Sequence, residues 1–447
     1  MTTPANVCLV GQVFVDVTLP VHGQPIKLRA GGIVHAARAL WAIECPYTLA
    51  YCGPDYLDAA IQEHVVNYEA TSASRFGLVT GCPNVMLIAE PTEAGPQGYE
   101  YLLRERQRCE LTLSQLTTAA KTASDIMMFP GGFDLQSSLP TLGATAAAIH
   151  VDANFEPYSA DVFGALGRQF QTVILSTSST TFLNQYHGDH KELSAAMLGN
   201  YGRQVLLKEN RGGSRLFEID CETIVTPAQP RKVLHSVGVG DCFDAVFVAL
   251  RHKVCSRAAM AYASCIAAEY ASTTYPETFR DAAQSWLNVP EDEIVEIGGT
   301  ILHWEDRPSV QVYIAAPDFA HVDRRPIDRV ANALRYHNFT PRLPVRENGQ
   351  MGEYADVARR QSLCEADLRI LGECQLVLAI LLYDDPGTLI EIGIAAERGI
   401  PIIVFDPFER ADNLMLTQLP QLVSADLDEV ITAVFEHAAR LRTHGQR

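Results

Sequence analysis

Positive charge is scarce in this chain of 447 residues: 35 lysines and arginines face 53 aspartates and glutamates, a formal net charge of −18. That balance argues against a nucleic-acid backbone or an anionic membrane as the main partner, although a small anionic ligand in a locally basic pocket is still compatible with it. No apolar run reaches the roughly 20 residues that a bilayer-spanning helix needs. The start, Met1-Thr-Thr-Pro-Ala-Asn6, lacks the charged stretch and apolar core of a secretory signal. The 11 cysteines, from Cys8 to Cys374, include no C-x-x-C pair and no His-rich spacing, so no structural zinc is implied and no metal ligands are assigned. They read as reduced thiols of a cytoplasmic protein, and Cys242 reads as a small packing residue. What is present is an ordinary globular composition, 47% hydrophobic and 20% charged, in a chain long enough for two or three domains.

Strands alternate with helices over most of the chain. Val7 to Val15 alternates apolar and polar, with Gly11 inside and Asp16 at its end, which predicts a first buried strand delivering a carboxylate to a sheet edge. A polar turn with Pro20, Gly23 and Pro25 leads to Ala30-Gly31-Gly32 and a helical run, Val34 to Ile43. Val85 to Ala89 and Tyr99 to Leu103, around a Pro/Gly turn, predict a small antiparallel flap. Further strands are predicted at Ile126 to Phe129, Ala148 to Val151, Thr172 to Leu175 and Val205 to Lys208. The alternation implies a mostly parallel sheet with helices on both faces, binding ligands at the carboxyl ends of its strands. Asp16, Asn154 and Asp241 fall at or after such ends.

The sharpest local pattern is Gly238-Val239-Gly240-Asp241, a turn feeding an apolar helix through Phe243, Val246, Phe247 and Leu250. Successive amides and a helix N-terminus there suit an anion, with Asp241 beside it as a proton acceptor. The same residues suit a plain helix start. A lone histidine such as His35 or His235 reads as a packed or capping residue.

Taken together, Gly11…Asp16, Gly31-Gly32 with its helix, Asp152-x-Asn154 and Gly238-Val239-Gly240-Asp241 resemble the ribokinase-like (PfkB) family of sugar and nucleoside kinases, over about residues 5–304. The resemblance implies a doubly wound α/β sheet with a small β flap, and ATP and Mg2+ as cofactors. It makes Asp241 the base that takes a proton from a substrate hydroxyl, and the Gly238, Val239 and Gly240 amides an anion hole. Asp16, with Gly31, Gly32 and Asn154, would bind the substrate. Four stretches depart from the family pattern: His235-Ser236 replaces Asp-Thr, His35 replaces an asparagine, Lys208-Glu-Asn-Arg-Gly212-Gly213 alters the nucleotide turn, and Ser176-Thr-Ser-Ser179 stands where Asn-x-x-Glu arranges magnesium and phosphates. Losing carboxylates that arrange a metal costs charge neutralisation at a transferring phosphate. An alternative is therefore a ligand-binding or dimerising module.

Periodicity fades near Pro290-Glu-Asp-Glu, and a last strand-like run, Thr300 to Trp304, precedes Glu305-Asp-Arg-Pro308. Domains are accordingly expected at residues 1–304 and 305–447. The second shows strands at Val310 to Ala315, Leu376 to Leu382 and Ile400 to Phe405, with helices at Pro326 to His337, Tyr354 to Leu371, Leu389 to Arg398 and Ala425 to Leu441. That is a smaller doubly wound α/β pattern. In Tyr383-Asp-Asp-Pro-Gly-Thr-Leu-Ile-Glu391, Thr388-x-x-Glu391 matches a capping box and Asp384-Asp385 matches turn residues. Glu391 in a first helical turn equally suits a nucleophile kept ionised by the helix N-terminus.

Tyr313-Ile-Ala-Ala-Pro-Asp-Phe319, Asp367, Asp385-Pro-Gly-Thr-x-x-Glu391-Ile-Gly and Asp412-Asn413-Leu-Met415 resemble, in order, the nucleoside 2-deoxyribosyltransferase family. That resemblance implies a Rossmann-like (flavodoxin-like) domain needing no cofactor. Glu391 would attack the anomeric carbon to form a glycosyl-enzyme, Asp385 would assist protonation of the base, and Tyr313 would orient the nucleophile. Asp367 would contact sugar or base, and Asn413 with Met415 would complete a neighbouring subunit's site. A carboxylate nucleophile with a second carboxyl group is the retaining glycosyl-transfer arrangement. Arg324-Arg325 could hold a 5′-phosphate or be solvated surface charges. The joint expectation is a bifunctional protein of nucleoside or sugar metabolism, a dimer or larger, acting on a small nucleoside, nucleotide or sugar. The alternative is a nucleotide N-glycosidase, with a nucleotide-depleting defence role, regulated by the first domain.

Overall fold

Twelve residues of one strand, β1 (Val7–Thr18), serve two sheets. The structure, a computed structural model, describes residues 6–19, 26–154, 163–351 and 356–445. The expected turn residues Pro20, Gly23 and Pro25, and Tyr354, the expected start of a helix, lie outside them. The chain divides into two compact units, Met1–Thr92 with Gln97–Gly299, and Glu93–Pro96 with Thr300–Arg447.

In the first unit β1 is followed by β2 (Lys27–Gly32), α1 (Ile33–Ala42), β3 (Tyr47–Gly53), β4 (Ser72–Thr80), β5 (Val85–Ile88), β6 (Tyr99–Tyr101), β7 (Arg108–Leu111), β8 (Asp125–Phe129), β9 (Ala148–Asp152), β10 (Phe170–Ser176), β11 (Gly202–Lys208), β12 (Ser214–Glu218), β13 (Ile224–Thr226) and α2 (Val239–Leu250). The main path runs β13-β12-β11-β10-β9-β8-β1-β3-β4-β7. From β11 to β4 it is parallel; β12, β13 and β7 are antiparallel additions at its ends. Val7 to Gln12 of β1 lies in this sheet against β3 and β8. Val13 to Thr18 leaves it and pairs with β2 and β5, while β5 pairs with β6.

The flap expected from two strands therefore contains β2 and half of β1 as well. Polar Lys27-Leu-Arg gives no apolar alternation for β2, and it is β1 that supplies its ladder. Asp16 lies within β1, opposite Arg29 and Met86, rather than at a strand end, because pairing on both sides carries the strand on to Thr18. α1 is buried almost all round and packs with α2 over Leu9, Leu49, Met127 and Ile174 of the sheet. A helix buried on nearly every side belongs in such a layer. Thr300–Trp304 forms no extended strand; Trp304–Ser309 is a short 3-10 turn, whose fully buried Arg307 donates to the Leu302 carbonyl at 3.2 and 3.1 Å.

The second unit runs β14 (Gln311–Ala315), α3 (Arg325–Tyr336), β15 (Thr340–Arg342), α4 (Pro344–Asn348), α5 (Val357–Glu373), β16 (Leu376–Ile380), α6 (Pro386–Glu397), β17 (Ile402–Phe405), α7 (Leu414–Gln418), β18 (Leu422–Ser424) and α8 (Leu427–Gly445). Its sheet, ordered β15-β14-β16-β17-β18, is parallel throughout. Successive strand residues point to opposite faces. Val312, Ile314, Leu376 and Leu378 join one core with Ile327, Val330 and Val434 of α3 and α8. Tyr313, Ala315, Val377 and Ala379 join the other with Ile370 and Ile392 of α5 and α6. That alternation puts Tyr313 on the α6 side. Among the described residues no helix is long and apolar enough to cross a membrane.

Asp125, fully buried at the start of β8, ties the far end of α2 to the sheet. It accepts from Arg251 Nε at 3.0 Å, His252 Nε2 at 2.7 Å and His150 Nε2 at 3.2 Å. Burial pushes its carboxyl up, but His150 and Arg251 outweigh burial and hold it well below the ordinary carboxylate range. Burial also lowers the pKa of His150, so that ring donates while neutral and Arg251 supplies charge. Asp125→Asn should cost about 3–5 kcal/mol in urea unfolding at neutral pH, as expected when one partner of a buried pair is removed. Because the folded pKa is depressed, the stabilisation is complete above the unfolded value of about 3.9 and is lost as pH falls below it. The gap between parent and variant should thus be flat from about pH 5 to 8 and narrow below about 4.

Candidate functional site

Each unit gathers a carboxylate cluster at the carboxyl ends of its parallel strands. In the first, fully buried Asp16 accepts from His35 Nε2 at 2.8 Å, and His35 Nδ1 meets the Tyr270 hydroxyl at 2.7 Å. Burial pushes the His35 pKa down to about 4, against the bond to Asp16. The ring is therefore neutral at pH 7, with Nε2–H donating to the carboxylate and Nδ1 accepting from the tyrosine. Two glycines make room for this pair. A Cβ on Gly31 would lie 2.1 Å from the Asp16 carboxylate, and one on Gly238, at φ +77°, 2.1 Å from the His35 ring. Gly32, at φ +64°, lies against the Gln12 carbonyl. His235 packs edge-on against Tyr270 and reaches the Thr273 carbonyl at 3.0 Å.

Beside them, Lys208 at the end of β11 reaches Asp244 at 2.7 Å, Asp152 at 3.4 Å and the Gly240 carbonyl at 3.5 Å. Asp241, in the first turn of α2, has its pKa pushed up to about 7, first by burial, then by the charge of Asp152 with a smaller push from Asp16; Lys208 opposes. Asp152 accepts from the Asn154 amide at 3.0 Å, and Asn154 Oδ1 from Ser176 N at 2.6 Å. The side-chain oxygen of Asn154 thus joins two strand ends. Cys242 is fully buried, as a packing residue would be. Lys208, Asp152 and Asp244 were not among the site residues that sequence reasoning selected. The available signal was a lysine ending the apolar run Val205-Leu-Leu, since a cation leaving a buried strand requires carboxylates.

The first turn of α2 has the unspent amides of any helix start, although Val239 N is used, donating to the Ser236 carbonyl at 3.2 Å. The remaining amides are the kind of donor that a phosphate takes. Among the described residues no group of three or more His, Cys, Asp or Glu is placed to hold a metal by side chains alone, whereas magnesium beside a nucleotide takes one or two carboxylates together with phosphates and water. Where the family has a carboxylate, the end of β10 offers hydroxyls, with Ser176 Oγ 2.8 Å from Ser178 Oγ.

In the second unit the Tyr313 hydroxyl donates to Glu391 Oε1 at 2.6 Å. Asp385 is the N-cap of α6, its Oδ2 accepting from both the amide and the hydroxyl of Thr388 at 2.8 Å. The expected Thr388-x-x-Glu391 capping box does not form, because Pro386 starts the helix three residues before the expected Leu389 and Asp385 takes the cap. Glu391, expected in the first turn, lies past it, because the helix begins at Pro386 and its first turn holds no acidic residue. Burial pushes the Glu391 pKa up to about 7, with Asp367 and Asp385 adding to the rise and the Tyr313 bond opposing it. Asp367 accepts from Asn348 Nδ2 at 2.8 Å. Asn413 caps α7 through Met415 N at 2.9 Å, and Leu414 and Met415 are exposed. Arg325 pairs with Asp323 at 2.6 Å on the surface, and Arg324 lies 4.0 Å from Asp318.

Residues 312–424 match the nucleoside 2-deoxyribosyltransferase family model. No curated protein gives a sequence match. Among solved structures, a protein from E. coli assigned as ribokinase II, in its apo form, superposes with a TM-score of 0.51 at 14% identity, covering 63% of this chain and 99% of its own. Arabidopsis thaliana ribokinase complexed with ribose and ATP gives 0.47 at 12% identity, covering 64% and 100%. Fructokinase from Vibrio cholerae O395, in its fructose, ADP and calcium ion bound form, gives 0.49 at 13%, covering 64% and 99%. At such identities the likeness is one of fold.

The glycine at 238 can be tested directly. Gly238→Ala should destabilise the protein by about 2–4 kcal/mol, from strain at positive φ and the clash with His35. Combined with His35→Ala it should cost clearly less than the sum of the two single changes, a coupling read from a double-mutant cycle in urea. The chain thus joins a unit of ribokinase-like fold to a nucleoside 2-deoxyribosyltransferase-like segment.

Proposed function

We propose that the second unit breaks or exchanges the N-glycosidic bond of a nucleoside or nucleotide through a covalent glycosyl-glutamate, and that the first phosphorylates a sugar or nucleoside hydroxyl with ATP. The observation that carries this reading is the Tyr313–Glu391 hydrogen bond of 2.6 Å, in a cluster with Asp367 and Asp385. The Glu391 carboxylate attacks the anomeric carbon, the carbon–nitrogen bond breaks, and the base leaves with a proton supplied on the Asp385 side. Water or a second base then takes the sugar from the ester. Tyr313 fixes the attacking oxygen and favours its ionised form. Asp367 holds sugar or base, and Asn413 and Met415, presented at the surface, complete the site of a second subunit in a dimer or larger assembly.

In the first unit Asp241, with a pKa near neutrality, suits a general base. Gly238, Val239 and Gly240 border the phosphate position, while Asp16, Gly31, Gly32 and Asn154 form the substrate side. No step is assigned to magnesium. The hydroxyl-lined end of β10 and the engagement of Asp16 by His35 favour a second reading, a ligand-binding module that regulates the glycosidase. Both readings place the protein in the cytoplasm with small-molecule partners.

Incubation with a panel of nucleosides and 5′-nucleotides, with and without MgATP, followed by chromatography for base release and phosphorylation, tests both units. Glu391→Ala should lower base release by about 10³-fold or more, and release at the parent rate would overturn the nucleophile. The rate should rise with pH as Glu391 ionises near 7. Tyr313→Phe removes a bond that lowers this pKa, so the rising limb should shift to higher pH. Asp241→Asn should abolish substrate-dependent ATP consumption; if the parent consumes none with any substrate, the regulatory reading replaces the kinase.

A further inference from the structure

Asp16 and Arg29 stand opposite each other on the β1–β2 ladder, so their side chains share one face of the flap, about 5 Å apart at Cβ. They do not pair. Asp16 Oδ2 accepts from His35, and its buried Oδ1 has no partner. The Arg29 guanidinium turns instead to the chain leading into Gly238, where Nη2 makes two long contacts, 3.4 Å to His235 Nδ1 and 3.4 Å to the Val237 carbonyl. Its Nε is buried without a partner. Burial pushes the His235 pKa down to about 3, and the charge of Arg29 adds to the fall. With Nε2 of that ring on the Thr273 carbonyl at 3.0 Å, Nδ1 offers Arg29 only a neutral lone pair. Among the described residues no carboxylate lies within ion-pair distance of this guanidinium. Two other inward-turned arginines of the unit differ: Arg215 has Glu209 at 2.9 Å and Arg251 has Asp125 at 3.0 Å. A guanidinium keeps its charge, and one drawn out of water with no anion beside it is costly until a ligand brings one.

We propose that Arg29 binds an oxyanion, a phosphate or a carboxylate, carried by the ligand of the first unit, while a hydroxyl of the same ligand donates to Asp16 Oδ1. The inference rests on the reading of this cluster as a small-molecule site, and it narrows the ligand to an anionic sugar or nucleotide. The guanidinium fork takes two oxygens of a phosphate or carboxylate at once. The Asp16 carboxylate only accepts, and its charge repels an anion brought against it. Anion and hydroxyl therefore cannot exchange places, and the ligand is held one way round. A neutral sugar would satisfy Asp16 and leave the guanidinium without a counter-charge.

Isothermal titration of the full chain with ribose 5-phosphate, ribonate and ribose tests this. At least one of the two anions should bind about tenfold or more tightly than ribose, and the tighter of them shows whether phosphate or carboxylate is the group taken. Arg29→Met should erase the preference, bringing the anions to the level of ribose, while Arg29→Lys, a point charge without the fork, should keep part of it. Because the charge has no partner in the ligand-free protein, Arg29→Met should unfold in urea at the parent's midpoint or above. The comparison of the three ligands on the parent stands alone if a variant fails to fold. Ribose bound as tightly as both anions, or an anion preference that survives Arg29→Met, would overturn the proposal and leave the small-molecule site in place. A parent that binds none of the three would overturn both.

Discussion

A carboxylate removed from water must find a donor or surrender its charge, and both units are arranged around that requirement. The chain carries more acid than base, and its parallel strands bring acids together at their carboxyl ends. Each is settled differently. Asp125, at the opposite, amino end of β8, has a guanidinium and keeps its charge; at the carboxyl ends Asp16 has a neutral imidazole, Asp152 and Asp244 share one lysine, and Glu391 has a phenol. The stronger the donor, the more purely structural the carboxylate.

Asp241 and Glu391 arrive at the same pKa, near 7, by parallel routes. In both, burial is the first cause and neighbouring carboxylates add to it. The opposing force differs, an ammonium for Asp241 and a hydroxyl for Glu391. Lys208 acts through charge and divides itself among several acceptors, so it tunes Asp241 without fixing its direction. Tyr313 acts through one short bond, which both tunes Glu391 and aims it. Taking a proton asks less of orientation than attacking carbon does, and the two arrangements match that difference.

Much of this was legible in the sequence. The alternation of strands and helices, the Val85 to Leu103 flap and the turn at Gly238 depend on local pattern, and local pattern survives in a single chain. So does Tyr313 with Glu391, because each sits in a block of recognisable spacing. What escaped has long-range causes. β2 is too polar to announce itself and exists because β1 offers it an edge. Lys208, Asp152 and Asp244 come from three separated elements, and nothing in any one of them names the others. The cap at α6 fell to Asp385 rather than Thr388 because a proline at the first helical position moved the helix start. The same shift leaves Glu391 past the first turn, and its burial is not visible in a single chain.

The passage of β1 from one sheet into another makes that strand a ruler. Its first half is locked in register to β3 and β8, its second half to β2 and β5, and no loop intervenes to absorb a change in length. Side chains on a strand alternate between faces, so one residue gained or lost between Gly11 and Asp16 would turn Asp16 away from His35. Loops elsewhere in the chain are free to lengthen or shorten as the protein diverges. The interval from Gly11 to Asp16 is not, and its length is as much a part of the site as the carboxylate it delivers.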